Sequence, residues 1–295
     1  MSRTVTVGLD GSPESRTAAE WAAREARLCG LPLRLVHVWE PMPVRMERNE
    51  TGIPPADGWD RIARDTAEGL RLRHPGVEVV TEQRGGEPGE ALVAAAEDAE
   101  LLVLGSRGLS GVGGFLVGSV GQSVVAHAGR PVVLVRAGEQ AADEHETDPV
   151  GIASTATRYR PVVLGVDIDA PDDTVLAFAF EEAARRGTVL RAVHAWTMPP
   201  YYAYGLAVDP AFQEELSAQV TAALRPWRQK YPSVEVVEVT AEGSASVRLV
   251  DASHHASLVV VGRRTRRAPL GPHIGPVTHA VLHHATAPVA VVPHD

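Results

Sequence analysis

Short runs in which nearly every position is apolar alternate along this chain with longer stretches in which apolar residues recur at helical spacing. In the first half the apolar runs are TVTVGLD from Thr4, LRLVHVW from Leu33, VEVVTEQ from Val77, ELLVLG from Glu100 and PVVLVR from Pro131. Val and Leu dominate them, as they do in parallel strands covered on both faces. The intervening stretches carry helix signals. Ser12-Pro13-Glu14 supplies an N-cap, a proline at the first helical position and an acid in the first turn, and Gly30 closes that helix. Pro88 opens another helix, Gly129 follows a further one, and residues 57–73 read as a weaker one. Five strands alternating with four helices predict a doubly wound, parallel α/β sheet.

The plan is then repeated. Shifting the sequence by 157 positions brings Gly8 and Asp10 onto Gly165 and Asp167, LRLVHVW onto LRAVHAW, Gly105 onto Gly262, Gly118 onto Gly275 and Pro131 onto Pro288, with no gap. So long a period means tandem domains rather than a solenoid. The predicted organisation is one domain over residues 1–138, a linker over 139–158 and a second domain over 159–295. The linker assignment rests on polar, small and acidic residues with no sustained apolar period.

Composition narrows the class. The net charge of −9 argues against nucleic acid as a partner, although Arg263, Arg264, Arg266 and Arg267 form a local basic cluster. No apolar stretch is long enough for a membrane span, and the N-terminus runs straight into a strand pattern, so a cytoplasmic protein away from membranes is expected. The single cysteine, Cys29, permits no internal disulfide and reads as a small packing residue.

In an open α/β sheet, ligands bind beyond the carboxyl ends of the strands, where the strand order reverses. The unusual residues of the first copy cluster at two such ends. One is Gly8-Leu9-Asp10-Gly11-Ser12; the other is Gly105-Ser106-Arg107-Gly108, which leads through a glycine-rich stretch to Gly118-Ser119. In a 3-2-1-4-5 strand order the two face each other. Glycines let backbone N–H groups approach a phosphate, and a helix opening at Gly118-Ser119 offers free N–H groups, a positive dipole end and a hydroxyl. Asp10 suits a ribose hydroxyl or an adenine amino group. Glycine count alone fits a flexible surface loop as well. Dinucleotide-binding GxGxxG, phosphate-loop GxxxxGK[ST] and hydrolase GxSxG patterns are missing.

The spacing Gly105-x2-Gly108-x9-Gly118-Ser119, with Asp10 after a Val-rich first strand, resembles the signature of the universal stress protein family. The resemblance covers both copies and is similar to the tandem members found in actinobacteria. It implies the adenine-nucleotide alpha hydrolase-like fold, with two five-stranded parallel sheets of order 3-2-1-4-5. It also implies ATP binding, with magnesium as a companion ion, by a stress-response protein that is not an efficient enzyme. Carried over, Asp10 would hold the ribose or adenine and Val38 would pack on the base. Gly105, Ser106, Arg107 and Gly108 would follow the ribose and phosphates, while Gly118, Ser119 and Val120 would bind phosphate. Arg107 fits a solvated surface arginine equally well. A slow ATPase or self-phosphorylating protein, with Ser119 or Ser106 as acceptor, and a nucleotide-free interaction module are the alternatives.

The second copy departs from the pattern. Thr265 stands for Gly108, Pro276 for Ser119 and Ala195 for Val38, while Asp169, Asp172 and Asp173 follow its first strand. Proline removes a backbone N–H as well as the hydroxyl. The expectation is a degenerate site closed by protein charges, with Arg263, Arg264, Arg266 or Arg267 paired to Asp169, Asp172 or Asp173. A solvated basic loop, or a loop binding another anion, remains open. His37 and His194 read as buried structural histidines, and His279 and His283 as sharing one helix face. The aromatic segment YYAYG (201–205) falls in the loop after the second strand of its copy. The apolar fifth strands would end their sheets as edges that need pairing. The resemblance implies that they pair antiparallel across a two-fold axis, which predicts an intrachain pseudo-dimer and allows a homodimer; a protein partner is expected but not named by the sequence.

Overall fold

The computed structural model describes residues 3–39, 59–108, 115–197, 210–265 and 274–295. Segment 201–205, Arg266 and Arg267 lie outside them, as does most of the glycine-rich stretch between Gly108 and Gly118. The chain divides between Glu139 and Gln140 into two compact units.

In the first unit the principal strands are β1 (Thr4–Leu9), β2 (Leu33–Trp39), β3 (Val79–Gly85), β4 (Ala99–Gly108) and β5 (Val132–Arg136), with helices α1 (Pro13–Cys29), α2 (Trp59–Arg73), α3 (Pro88–Ala96) and α4 (Ser119–His127). The sheet order is β3-β2-β1-β4-β5, all parallel, with Val7 level with Leu35 on one side and Val103 on the other. The order therefore reverses between β1 and β4. The caps form as the sequence predicts. Ser12 accepts a hydrogen bond from the Ser15 N–H, Pro13 starts α1, and Gly30 ends it at φ 64°, a left-handed conformation natural to glycine. Trp21 and the alanines Ala18, Ala19, Ala22 and Ala26 are fully buried, so α1 packs through a small, flat face that lets it lie close to the strands. Cys29 is half-buried, its thiol donating to Glu25.

The second unit repeats this with β6 (Val162–Gly165), β7 (Leu190–Trp196), β8 (Val236–Glu242), β9 (Leu258–Arg264) and β10 (Val289–His294), ordered β8-β7-β6-β9-β10. Its helices are α5 (Asp173–Arg186), α6 (Pro210–Lys230), α7 (Ala245–Ser253) and α8 (Pro276–His284). One difference from the first unit matters for the site. Position 170 is the equivalent of Pro13, yet α5 begins only at Asp173, capped by Asp172, whose Oδ1 accepts from the Thr174 and Val175 N–H groups. Pro171 disfavours helical backbone at Ala170, and Asp172 supplies the next available cap.

Most of the segment assigned as a linker belongs to the second unit and is built, not featureless. Ala141–Glu144 forms a 3-10 turn, and antiparallel bridges join His145 to Tyr159 and Thr147 to Ala153. The Asp148 carboxylate accepts from the Val150 and Ile152 N–H groups around Gly151 at φ 89°, and the His145 ring packs on Tyr159 with centroids 4.1 Å apart. Side-chain to backbone bonds hold this segment, and they leave no apolar periodicity in the sequence.

Candidate functional site

Parallel pairing carries the ends of β2, β1 and β4 to one edge of the first unit's sheet. Leu9 is level with His37, which places Asp10 beside His37 and Val38. On the other side, the end of β4 passes directly over the start of α1. A Cβ on Gly105 would stand 2.5 Å from the Glu14 carbonyl carbon and 2.8 Å from the Ser15 nitrogen. Glycine is thus required at 105 by close backbone approach rather than by a positive φ. The turn between β1 and α1 needs one positive φ, and Gly11 supplies it at 80°.

Asp10 is held in this turn. Its Oδ1 accepts from the Ser12 N–H at 3.0 Å and the Ser12 hydroxyl at 2.5 Å, and its own N–H donates to the Ser15 hydroxyl at 3.4 Å. Partial burial pushes the carboxyl upward, but the hydrogen bonds from Ser12 and Ser15 outweigh it and hold the group below its ordinary range. It is therefore an ionised acceptor at neutral pH. Behind it His37 is buried; desolvation lowers its pKa and the charge of Asp10 partly offsets this, which favours a neutral ring. His194 fills the matching place in the second unit and donates from Nδ1 to the Val166 carbonyl at 3.1 Å.

A helix connecting two parallel strands runs back against them, so α4 begins at the carboxyl edge. Its N-cap is Gly118, with φ −60° and ψ 164°, and among the described residues no side chain caps the first turn. A Cβ at Gly118 would meet no atom within 4 Å, and both Gly118 and Ser119 are exposed. The N–H groups of this turn have no side-chain cap among the described residues, and an uncapped helix start is the arrangement that accepts an anion. Val120 is half-buried just inside the turn.

The structure thus brings Asp10, Val38 and Gly105 to one edge, on which α4 opens with Gly118, Ser119 and Val120. Ser106 behaves differently from expectation: it is buried, and its hydroxyl donates to the Val135 carbonyl at 3.3 Å, on the face of β4 opposite Gly105. Gly108 ends β4, and the Arg107 side chain lies outside the described residues.

In the second unit, Arg266 and Arg267 lie outside the described residues, and the expected ion pairs are followed through Arg264 at the same edge. A cavity of about 470 Å³ lies over it, reaching from Asp167 and Asp169 to Pro276 and Thr278. Arg264 pairs with Asp167, at 3.3 Å and with both side chains more than half exposed, instead of with Asp169, Asp172 or Asp173. Arg263, at the place of Ser106, is buried. The Thr278 hydroxyl donates to the Gly262 carbonyl at 2.9 Å. Sequence reasoning missed His294, which stands where the first copy has Ala137: its ring lies 2.8 Å from where a Gly262 Cβ would be, and its Nδ1 is 3.7 Å from the Asp172 carboxylate. The shift of 157 positions that revealed the repeat also exposes this Ala-to-His replacement. On α8, His279 and His283 share one face as anticipated, with ring centroids 4.4 Å apart. Among the described residues, no helix is long and apolar enough to cross a membrane.

Comparison with known proteins agrees with this architecture. The profile described as "Universal stress protein family" matches residues 1–136 and 158–293. Universal stress protein Rv2005c of Mycobacterium tuberculosis is 34% identical, over 97% of this chain and 96% of that protein. Universal stress protein Rv2623 of the same organism is 33% identical, over 97% and 95%. A crystal structure of a universal stress protein from Archaeoglobus fulgidus superposes with a TM-score of 0.63 at 16% identity, covering 99% of this chain and 98% of that one, a likeness of fold alone. With the family profile matched once over each copy and full-length relatives at a third identity, this chain belongs to the universal stress protein family as a tandem, two-domain member.

Proposed function

We propose that the chain is a regulatory protein that binds ATP in its first copy, with magnesium as the companion ion of the phosphates, and acts in a stress response through nucleotide-dependent binding to a protein partner. The observation that carries this reading is the open, uncapped start of α4 at Gly118-Ser119, on the same sheet edge as the ionised Asp10. An anion at α4 gains the helix dipole and unsatisfied N–H groups. The carboxylate of Asp10 is matched to hydroxyl or amino donors, and Val38 offers an apolar surface to a ring. Phosphate at one end and a polar, ring-bearing body at the other describe a nucleotide.

Binding rather than turnover is the preferred mode. Of the two candidate phosphoacceptors, Ser106 is turned into the sheet, which leaves Ser119 for any self-phosphorylation. Mass spectrometry after incubation with ATP separates the two: phosphate on Ser119 would favour the enzymatic reading. The binding reading itself is tested with Gly118→Ala, which has room to fold but places a methyl group where the anion would approach. ATP affinity is expected to fall by tenfold or more; unchanged affinity would remove α4 from the site.

A further inference from the structure

The 470 Å³ cavity of the second unit is within the size range of small-molecule sites, and its floor is apolar: Val166, Val175, Leu176, Val193, Leu249 and Val261 line it. What distinguishes it from the first copy's edge is that the chain has altered each place where a phosphate would be held. The start of α5 is capped by the charged carboxylate of Asp172, where α1 is capped by the neutral hydroxyl of Ser12. The first helical residue of α8 is Pro276, which has neither an N–H nor a hydroxyl. The strand end at Gly262 is covered by the His294 ring, itself beside Asp172. The exposed polar groups of the rim are the carboxylates of Asp167 and Asp169 and the guanidinium of Arg264, which is paired to Asp167. Asp169 is exposed, and Asp167 accepts from the Asp169 N–H at 3.1 Å and makes a solvent-screened pair with Arg264. The Thr278 hydroxyl is already engaged with a backbone carbonyl.

From this arrangement we infer that the second unit's cavity is a ligand site of changed specificity, which takes an unphosphorylated heteroaromatic molecule of nucleoside size and rejects phosphorylated ones. The ring lies on the aliphatic floor beside Ala195, which is smaller than the Val38 of the first copy and leaves a deeper seat. Hydroxyl or amino groups of the ligand donate to Asp167 and Asp169 at the rim. A phosphate reaching toward α8 would find the first N–H and the hydroxyl replaced by proline and would lie close to Asp172.

The test uses the full chain, with adenosine and ATP as probes in isothermal titration. Ala195 is half-buried at the end of β7 and faces the cavity, so Ala195→Leu fills the seat from the side where there is space. The unsubstituted chain is expected to take two adenosines and one ATP. Ala195→Leu is expected to take one adenosine and to keep its ATP unchanged, and the smaller Ala195→Val to weaken the second adenosine by about tenfold. An adenosine count that neither substitution alters, no adenosine binding at all, or an ATP count reduced by Ala195→Leu would overturn the inference. Failure of the first-copy reading looks different: ATP does not bind, while a single adenosine remains that Ala195→Leu removes.

Discussion

The second copy carries, at Pro276, a natural experiment that can be transplanted to the first. Ser119→Pro replaces the first residue of α4, whose N–H has no partner inside the helix, with proline, which has no N–H. The second unit shows that this helix forms with proline there, since α8 starts at Pro276 after an N-cap of nearly the same backbone geometry, φ −66° and ψ 157° against −60° and 164°. The fold should therefore lose less than about 0.5 kcal/mol, as is usual for exposed substitutions. The site loses more. One backbone N–H bonded to a charged phosphate contributes about 1.5–3 kcal/mol. At about 1.4 kcal/mol per factor of ten, ATP should bind roughly ten- to a hundredfold more weakly, and more weakly still if the Ser119 hydroxyl also contacts phosphate. Calorimetric titration measures the affinity, and a thermal melt of the same sample reports on folding. An ATP affinity within threefold of the parent, with an unchanged melt, would show that α4 does not hold phosphate and would refute the reasoning.

Gly105→Ala should destabilise the first unit by about 3 kcal/mol, because the added carbon meets backbone of α1 that cannot move aside, whereas Gly118→Ala should cost about 1 kcal/mol or less; denaturant titration of both variants checks the contrast. Asp10 should titrate below the usual carboxylate range in NMR, and Ser12→Ala should move it upward. Since its folded pKa is depressed, its contribution to stability is present above the unfolded value and is lost as pH falls through the folded value. His279 should titrate below an ordinary histidine because of burial and its neighbours His283 and His284, and His283→Gln should raise it, read from the ring proton shifts. Arg264→Ala should change stability by less than about 1 kcal/mol, because its pair with Asp167 is exposed, and a melt shifted by more would show a larger role.

Strand composition, the glycine cap at Gly30 and the prolines at 13 and 88 made the fold legible, because each acts through local backbone preference. The internal repeat made the tandem architecture legible before any element was assigned. What the pattern did not reveal was held by longer-range or side-chain geometry. The hairpin around Asp148 rests on an aspartate bonding to backbone two and four residues ahead, which has no hydrophobic period. The inward turn of Ser106 follows from strand alternation once Gly105 is known to face α1, a fact that comes from packing. The late start of α5 was written in Ala170-Pro171 but needed the first copy as a reference. The covering of Gly262 by His294 joins the end of the chain to β9, and no local signal announces it.

In the first copy an anion cradle is proposed at the start of α4, whereas the corresponding edge of the second copy carries Asp172, Pro276 and His294. Native mass spectrometry of the full chain, at the lowest ATP concentration that fills the unsubstituted protein, counts the nucleotides directly. One ATP per chain, lost in Ser119→Pro and retained in Ala195→Leu, is the predicted result. Two per chain, or one that survives Ser119→Pro, would contradict it.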